Sequence, residues 1–401
     1  MNGCNKSVYI ETFGCQMNKS DSEHMLGLLE DIGYSQTGEI TGADLMILNT
    51  CAIREGAEDK VYSYLGYWRK LKEKKPGSMI AVGGCVAQDA GEHLLTRAPY
   101  VDVVFGTHNL HRLPDLVIAS SKSGKPQVEV FQELPDDLPE VPVIRQSDIS
   151  AWVSIIYGCD YNCTYCIVPY VRGREKSRAP ESILKEIEEL AQAGYKEVTL
   201  LGQNVTAYGH DLDPEIHLGD LLRMIGCASG LKRVRFITGH PRDLRAEIID
   251  AVADVESACE YFHVPIQAGD DRTLRRMARG YNVDFYRRLV DTIRSRIPEA
   301  AITSDLIVGF PGETEKYERL RFLNSVVAEV SHRRNKRYLG LTVEVLVEGK
   351  SERSANRLAG RTRTNKVVNF EGNSDLVGQL VNVRVTQANP WALRGTLAAA
   401  V

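Results

Sequence analysis

Cys159, Cys163 and Cys166 stand in the spacing CxxxCxxC, within Cys159-Asp-Tyr-Asn-Cys163-Thr-Tyr-Cys166. Three thiolates this close in sequence can hold one metal centre. They are one short of the four that an electron-transfer iron–sulfur cubane takes, so one iron would stay open to a small molecule. The alternative is a structural zinc site, which normally needs a fourth Cys or His. No such residue lies within a few positions, although a distant one could fold in. A second, dispersed set consists of Cys15 in Thr12-Phe-Gly-Cys-Gln-Met-Asn18, Cys51 in Asn49-Thr-Cys-Ala-Ile-Arg54, and Cys85 in Gly83-Gly-Cys-Val-Ala-Gln88. Each follows a strand-like apolar run at once. Strand C-termini of an open parallel sheet face one crevice, so these three would converge into another three-thiolate site. The competing reading is three buried core cysteines. Against it stand their polar, glycine-rich flanks and their shared topological position. Cys4, Cys227 and Cys259 lack such settings and read as structural.

The elements that must position these residues are visible as alternating patterns. Val8-Tyr9-Ile10, Leu45-Met46-Ile47-Leu48, Met79-Ile80-Ala81-Val82 and Val101 to Phe105 read as strands. Helical patterns lie between them, the first opened by the capping box Ser20-Asp21-Ser22-Glu23. That alternation predicts an α/β fold with an N-terminal doubly wound parallel-sheet domain over 6–118. Residues 119–148 are rich in Ser, Gly and Pro and predict an extended linker. From 149 to 338 a second α/β series predicts a partial (β/α) barrel. Its strands are Trp152 to Tyr157, Val198 to Leu201, Val234 to Ile237, Tyr261 to Val264 and Ala301 to Val308, with the site at their C-terminal ends. A helix over Pro180 to Ala193 and a basic helix over Lys316 to Tyr338 belong to this region. Alternation in Leu341 to Val347 and Leu380 to Val385 predicts a small, OB-like β-barrel over 339–401.

A chain of 401 residues calls for two or three cores. The hydrophobic share of 43% and charged share of 25% are those of a soluble globular protein. No run approaches the length needed to span a bilayer, and the N-terminus lacks a signal peptide's apolar core. These features predict a cytoplasmic protein with no membrane partner. Nine cysteines in a reducing compartment point to metal ligation or chemistry more than to disulfides. The formal net charge of −4 hides an uneven distribution, because residues 316–366 carry 13 Lys/Arg against 5 Asp/Glu.

The CxxxCxxC motif, over residues 151 to about 313, resembles the radical S-adenosylmethionine (SAM) enzymes. With the second cysteine set, the whole chain is similar to the methylthiotransferases of that group. Gly14-Cys-Gln-Met-Asn18, Asn49-Thr-Cys-Ala-Ile-Arg-Glu55 and Leu201-Gly-Gln-Asn-Val205 resemble its tRNA-modifying, MiaB-type branch. The resemblance implies two [4Fe–4S] clusters and two uses of SAM. One SAM methylates a sulfur held on the N-terminal cluster, and the other is cleaved to a 5′-deoxyadenosyl radical. The radical takes a hydrogen from C2 of N6-isopentenyladenosine at position 37, in the anticodon loop of a tRNA. Related substrates, threonylcarbamoyl-adenosine tRNA or a ribosomal protein, stay open, as does a non-catalytic iron–sulfur RNA-binding protein. It further implies an electron donor protein and a sulfur source or cluster-assembly carrier. No side chain is assigned as a catalytic acid or base.

By the same resemblance, SAM contacts fall at Tyr165, Gln203, Asn204, His240, Gln267, Gly309 and Gly312. RNA contacts fall at Arg172 and Arg174 and, in a C-terminal segment resembling a TRAM module, at Arg361 and Arg363. Such residues would attract backbone phosphates. In one place the chain departs from the family. Gly312-Glu-Thr-Glu runs almost directly into the basic helix, where relatives carry a further segment that includes a sixth barrel strand. Either the protein lacks that segment or these 401 residues pass over it. The first case opens one side of the barrel.

Overall fold

The runs Leu45-Met46-Ile47-Leu48 and Met79-Ile80-Ala81-Val82 are buried throughout, as strands of a parallel sheet covered on both faces must be. The protein is described here from a computed structural model covering residues 6–52, 56–135, 140–228, 230–351 and 354–398. Cys4 and the end of the Cys51 motif, residues 53–55, lie outside the described residues. The chain divides into two compact units. One is Met1–Gln146, Trp152–Ala179 and Leu201–Asn204; the other is Ser147–Ala151, Pro180–Leu200 and Val205–Val401.

The first unit is built on β1 (Lys6–Thr12), α1 (Gln16–Glu30), β2 (Tyr34–Gln36), β3 (Leu45–Thr50), α2 (Ala57–Lys74), β4 (Met79–Gly84), α3 (Cys85–Ala90), α4 (His93–Arg97), β5 (Val103–Phe105), α5 (Leu113–Ser123) and β6 (Gln127–Glu129). The strands form one parallel sheet in the order β2-β1-β3-β4-β5-β6. One face packs Leu45, Ile47, Ala81 and Phe105 against Met25, Leu29 and Leu113. The other packs Met46, Leu48, Ile80 and Val104 against Val61, Leu65 and Trp68. This is the predicted doubly wound layer. The expected linker at 119–148 is different in its first part, where α5 continues to Ser123 and β6 adds a strand beside β5. Residues 136–139 of that stretch lie outside the described residues.

Next come β7 (Ser150–Ser154), β8 (Ile156–Tyr157), α6 (Val168–Arg172) and β9 (Lys176–Ser177). β8 and β9 pair antiparallel, Ile156 with Ser177 and Tyr157 with Lys176, and so close the base of the CxxxCxxC loop. They are followed by α7 (Pro180–Gln192), β10 (Glu197–Leu201), α8 (Leu218–Ala228), β11 (Arg233–Phe236), α9 (Ala246–Asp254), β12 (Tyr261–His263), α10 (Asp271–Arg276), α11 (Val283–Arg296), β13 (Ala301–Thr303) and α12 (Lys316–Asn335). The division between the units passes through β7 and β10.

The strand series is the one expected of an incomplete barrel. A sheet runs β11-β10-β7, and β10 is parallel to β11. Backbone bonds from Val234 to Ser257 and from Cys259 to Val234 lead on to β12, which is parallel to β13. β13 is shorter than expected, ending at Thr303. Among the described residues no strand pairs with its outer edge. Thr303 is exposed and Leu306 is 41% exposed there. α12 likewise leaves Leu320, Phe322, Val326, Val327 and Val330 exposed. Finally β14 (Thr342–Ser351), β15 (Ser354–Arg361), β16 (Val367–Phe370), β17 (Leu380–Ala388) and β18 (Leu393–Leu397) close a barrel in the order β14-β15-β16-β18-β17. Val345, Val347, Leu358, Phe370, Val383 and Leu393 fill it.

Candidate functional site

The N-terminal cysteines are set by three adjacent crossings of the first sheet. Cys15 caps α1 just beyond β1, Cys51 follows β3 directly, and Cys85 opens α3 directly after β4. The register Thr12–Asn49 and Asn49–Gly83 puts all three turns at one level. Gly14, at φ +105°, lies so close to Cys51 that a Cβ there would sit 2.5 Å from the Cys51 Cβ and 2.7 Å from its sulfur. Only glycine permits that approach.

Polar side chains that are wholly buried tie the turns together. The Asn18 amide donates to the Thr50 carbonyl at 2.7 Å and to Asn49 Oδ1 at 3.3 Å. Asn49 donates back to the Asn18 carbonyl at 2.7 Å and to Ser22 at 2.9 Å. Thr50 donates to the Gly83 carbonyl at 2.6 Å and accepts from the Val86 amide at 3.1 Å. Buried polar groups persist when every partner is supplied. The Cys15 thiol itself reaches Asn18 Oδ1 at 3.5 Å.

Arg172 belongs to this network and corrects an expectation. Its guanidinium is buried, donating to Asp21 Oδ2 at 2.7 Å and to Asn18 Oδ1 at 3.2 Å. Burial alone would lower its proton affinity, but Asp21 together with the Cys85 and Cys15 sulfurs outweighs burial and holds it charged. It faces the N-terminal cysteines and is not presented to an RNA phosphate. The sequence signal was present but local. Asn18, Asn49 and Thr50 lie inside the cysteine motifs, yet nothing in them announces Asp21 or a distant arginine.

The CxxxCxxC loop is held with equal care. Gly158, at φ +71°, lies against the Arg174 carbonyl oxygen, 1.9 Å from where a Cβ would fall. Its amide donates to Gln203 Oε1 at 2.5 Å, the Cys159 amide to Gly173 O at 3.1 Å, and the Cys166 amide to Cys163 O at 2.9 Å. Asn204 is buried and donates to Glu175 at 3.3 Å. Burial pushes the Cys159 thiol up to about 12, with Glu175, Cys166 and Cys163 adding to the rise. Without metal this sulfur keeps its proton, so metal binding must release it. Cys163 is buried, while Cys159, Cys166 and Tyr165 are half-buried. Both cysteine sets, with Tyr165, Gln203 and Asn204, lie in the first unit.

His240, Gln267, Gly309 and Gly312 belong to the second unit. His240 is buried, and burial, helped by Arg279 and Arg242, drops its pKa to about 2. Its Nδ1 accepts from the Arg242 amide at 3.3 Å, and its ring meets Tyr281 edge-on. Burial keeps this imidazole neutral. Gln267 bridges to Leu306 with φ +71°. The Gly309 amide donates to Glu313 at 2.8 Å, and Gly312 abuts Arg276.

Each set offers three thiolates, one short of a closed structural zinc site and suited to a cluster that keeps one iron open. Tetrahedral zinc with bonds of about 2.3 Å brings its sulfurs within about 4 Å of one another. Among the described residues, the one group of three ligand atoms mutually within 4.8 Å is His210, Glu215 and His217. At the histidine group, Arg245 donates to both imidazoles, at 3.0 and 3.2 Å. It occupies the lone pairs a cation would need. Cys259 is buried as expected, but Cys227 is exposed on α8 and packs no core.

Of the remaining arginines read as RNA contacts, Arg174 is 90% exposed and lies 3.3 Å from Asp160. Arg361 pairs with Glu348 at 3.1 Å. Arg363 forks onto Glu260 at 2.8 and 3.1 Å and bonds the Ala258 carbonyl at 2.6 Å. Its guanidinium fastens the small barrel to the β12 strand and is not a free phosphate ligand.

Comparison with known proteins gives three domain matches: Uncharacterized protein family UPF0004 over residues 7–106, the Radical SAM superfamily over 153–323 and the TRAM domain over 336–398. Among similar proteins, the tRNA-2-methylthio-N(6)-dimethylallyladenosine synthase of Thermoanaerobacter pseudethanolicus is 42% identical over 439 residues, 98% of this chain and 93% of that one. The protein of the same name from Desulforamulus reducens is 44% identical over 435 residues, covering 98% and 95%. Both alignments are longer than the 401-residue chain, so relatives carry residues with no counterpart here. Among solved structures, the radical SAM methyltransferase TsrM of Kitasatospora setae shares the fold, with a TM-score of 0.55 at 15% identity over 80% of this chain and 73% of that one.

Proposed function

Because the chain belongs to the family of tRNA-2-methylthio-N(6)-dimethylallyladenosine synthases, we propose that it methylthiolates C2 of N6-isopentenyladenosine at position 37 of a tRNA. The single observation that carries this reading is two three-cysteine sets, each at strand C-terminal ends, within one unit of the fold. The residues that would hold the clusters are Cys15, Cys51 and Cys85 for one, and Cys159, Cys163 and Cys166 for the other. When bound, the clusters and SAM supply the sulfur, the methyl group and the radical. The chain's own part is to place them. Gly158 and Gln203 fix the turn that presents Cys159, and Tyr165 and Asn204 are the flanking groups we assign to SAM. Three ligands per set leave an iron open, which a fourth protein ligand would block.

The substrate adenine must leave its stack in the anticodon loop, at a cost of a few kcal/mol. Phosphate contacts by Arg174 and by exposed basic residues of α12 and the small barrel offset that cost. An electron donor protein, a sulfur source or cluster carrier, and a cytoplasmic setting complete the reading. No helix among the described residues is long and apolar enough to cross a membrane.

Reconstituted full-length protein, given a reductant, SAM and tRNA bearing N6-isopentenyladenosine, should yield 5′-deoxyadenosine and a nucleoside heavier by one methylthio group. Parallel incubations with threonylcarbamoyl-adenosine tRNA and a ribosomal protein test the neighbouring substrates. The unpaired edge of β13 favours a second reading, an iron–sulfur RNA-binding protein without turnover. Complete absence of 5′-deoxyadenosine from protein with both clusters loaded would establish that reading instead.

A further inference from the structure

Among the described residues, Arg172 is a buried cation of the N-terminal cysteine site, and it comes from the other site's loop. α6 begins just after Cys166 and ends on Arg172, so one short helix carries the chain from the second cysteine set to the first. Arg172 is 5% exposed, its guanidinium is anchored by Asp21, and Asn18 Oδ1 accepts both from it at 3.2 Å and from the Cys15 thiol at 3.5 Å. A buried arginine persists only where negative charge compensates it. Asp21 supplies one such charge. Three thiolates on a [4Fe–4S]²⁺ core supply another, since the assembly is anionic before any exogenous sulfur is added.

We infer that Arg172 is a positioning residue for the N-terminal cluster, setting its charge balance and reduction potential from within the loop that carries the other cluster. The inference rests on the proposed cluster at Cys15, Cys51 and Cys85. Reduction adds one electron to an already anionic site, and a fixed cation that shares the Asn18 acceptor with a cluster ligand favours the more negative state. Loss of the cation therefore makes the cluster harder to reduce. Loss of the Asp21 carboxylate leaves the cation uncompensated and makes it easier. A purely structural salt bridge predicts no such opposition of sign.

The test uses full-length protein carrying Cys159→Ala, Cys163→Ala and Cys166→Ala, which keeps the N-terminal site alone. After anaerobic reconstitution, iron analysis and an EPR-monitored redox titration read that site. Arg172→Gln should move the midpoint to a more negative potential, Arg172→Lys should keep it close to the parent value, and Asp21→Asn should move it the other way. If Arg172→Gln fails to fold or load, Asp21→Asn and Arg172→Lys carry the comparison. Unmoved midpoints in loaded variants would overturn the inference alone. A parent protein that binds no iron would overturn the cluster reading and the inference with it.

Discussion

At the scale of single residues, the site depends on groups that cannot be exchanged even conservatively. Gly158→Ala forces a side chain into a left-handed backbone conformation, a strain of about 1–3 kcal/mol, and onto the Arg174 carbonyl oxygen. The variant should lose the iron of the Cys159 set and keep that of the N-terminal set, as read by iron analysis. Asn18→Ala strands the Thr50 carbonyl and Asn49 Oδ1 in a buried site, since both accept from the Asn18 side-chain amide. A loss of about 1–3 kcal/mol per stranded group is expected, measured as a lower urea midpoint. The cysteines were legible in the sequence because their spacing is local and their chemistry has few alternatives. Asn18, Asp21 and Arg172 were not, because what makes them functional is burial beside one another across the fold. A lone Arg172 in a basic run reads as a surface charge until its ion pair is seen.

At the scale of elements, β13 is the weak member of its layer. Its outer edge has no strand partner among the described residues, and edge amides exchange more readily than those of inner strands. Hydrogen–deuterium exchange should therefore run faster at Ala301–Thr303 than at Val198–Leu200. Near that edge His263 lies 3.3 Å from Asp305. Its hydrogen bond holds the Asp305 carboxyl below the usual carboxylate range. A folded-state value depressed in this way stabilises the protein above the unfolded carboxylate pKa of about 4 and fades as pH falls through the lower folded value. The stability difference between wild type and Asp305→Asn should accordingly shrink on acidification, in a urea-midpoint series from neutral to acid pH. The long β3 and β4 runs announced themselves by hydrophobicity. β6 did not, since Gln127-Val128-Glu129 is short and polar and becomes a strand only by pairing with β5.

At the scale of the whole molecule, charge is spent inside as well as displayed. Within the second unit Arg235 pairs with Glu197 at 2.9 Å and bonds the Thr362 and Arg363 carbonyls at 2.7 and 2.6 Å. Arg235→Met leaves a buried carboxylate short of its closest partner, and about 3–5 kcal/mol should be lost, again read by denaturant. Arginines 337, 357, 361 and 363 of the basic stretch likewise have acidic partners. The excess of 13 Lys/Arg over 5 Asp/Glu in the sequence thus overstates the field available to RNA. Each exposed phosphate contact truly lost, for example by Arg174→Ala, should lower the slope of log affinity against log salt by about 0.7–0.9. The fold class, a parallel-sheet layer, a partial barrel and a small closed β-barrel, was legible from strand and helix patterns; which charges were already paired was not, because pairing is a property of the folded chain. The buried lattice of Asn18, Asn49 and Thr50, through the Gly83 carbonyl and the Val86 amide, joins three turns drawn from three separate stretches of sequence. Its consequence is genealogical: no one of the three can drift without stranding its neighbours, so descendants of this chain should inherit them together or lose them together.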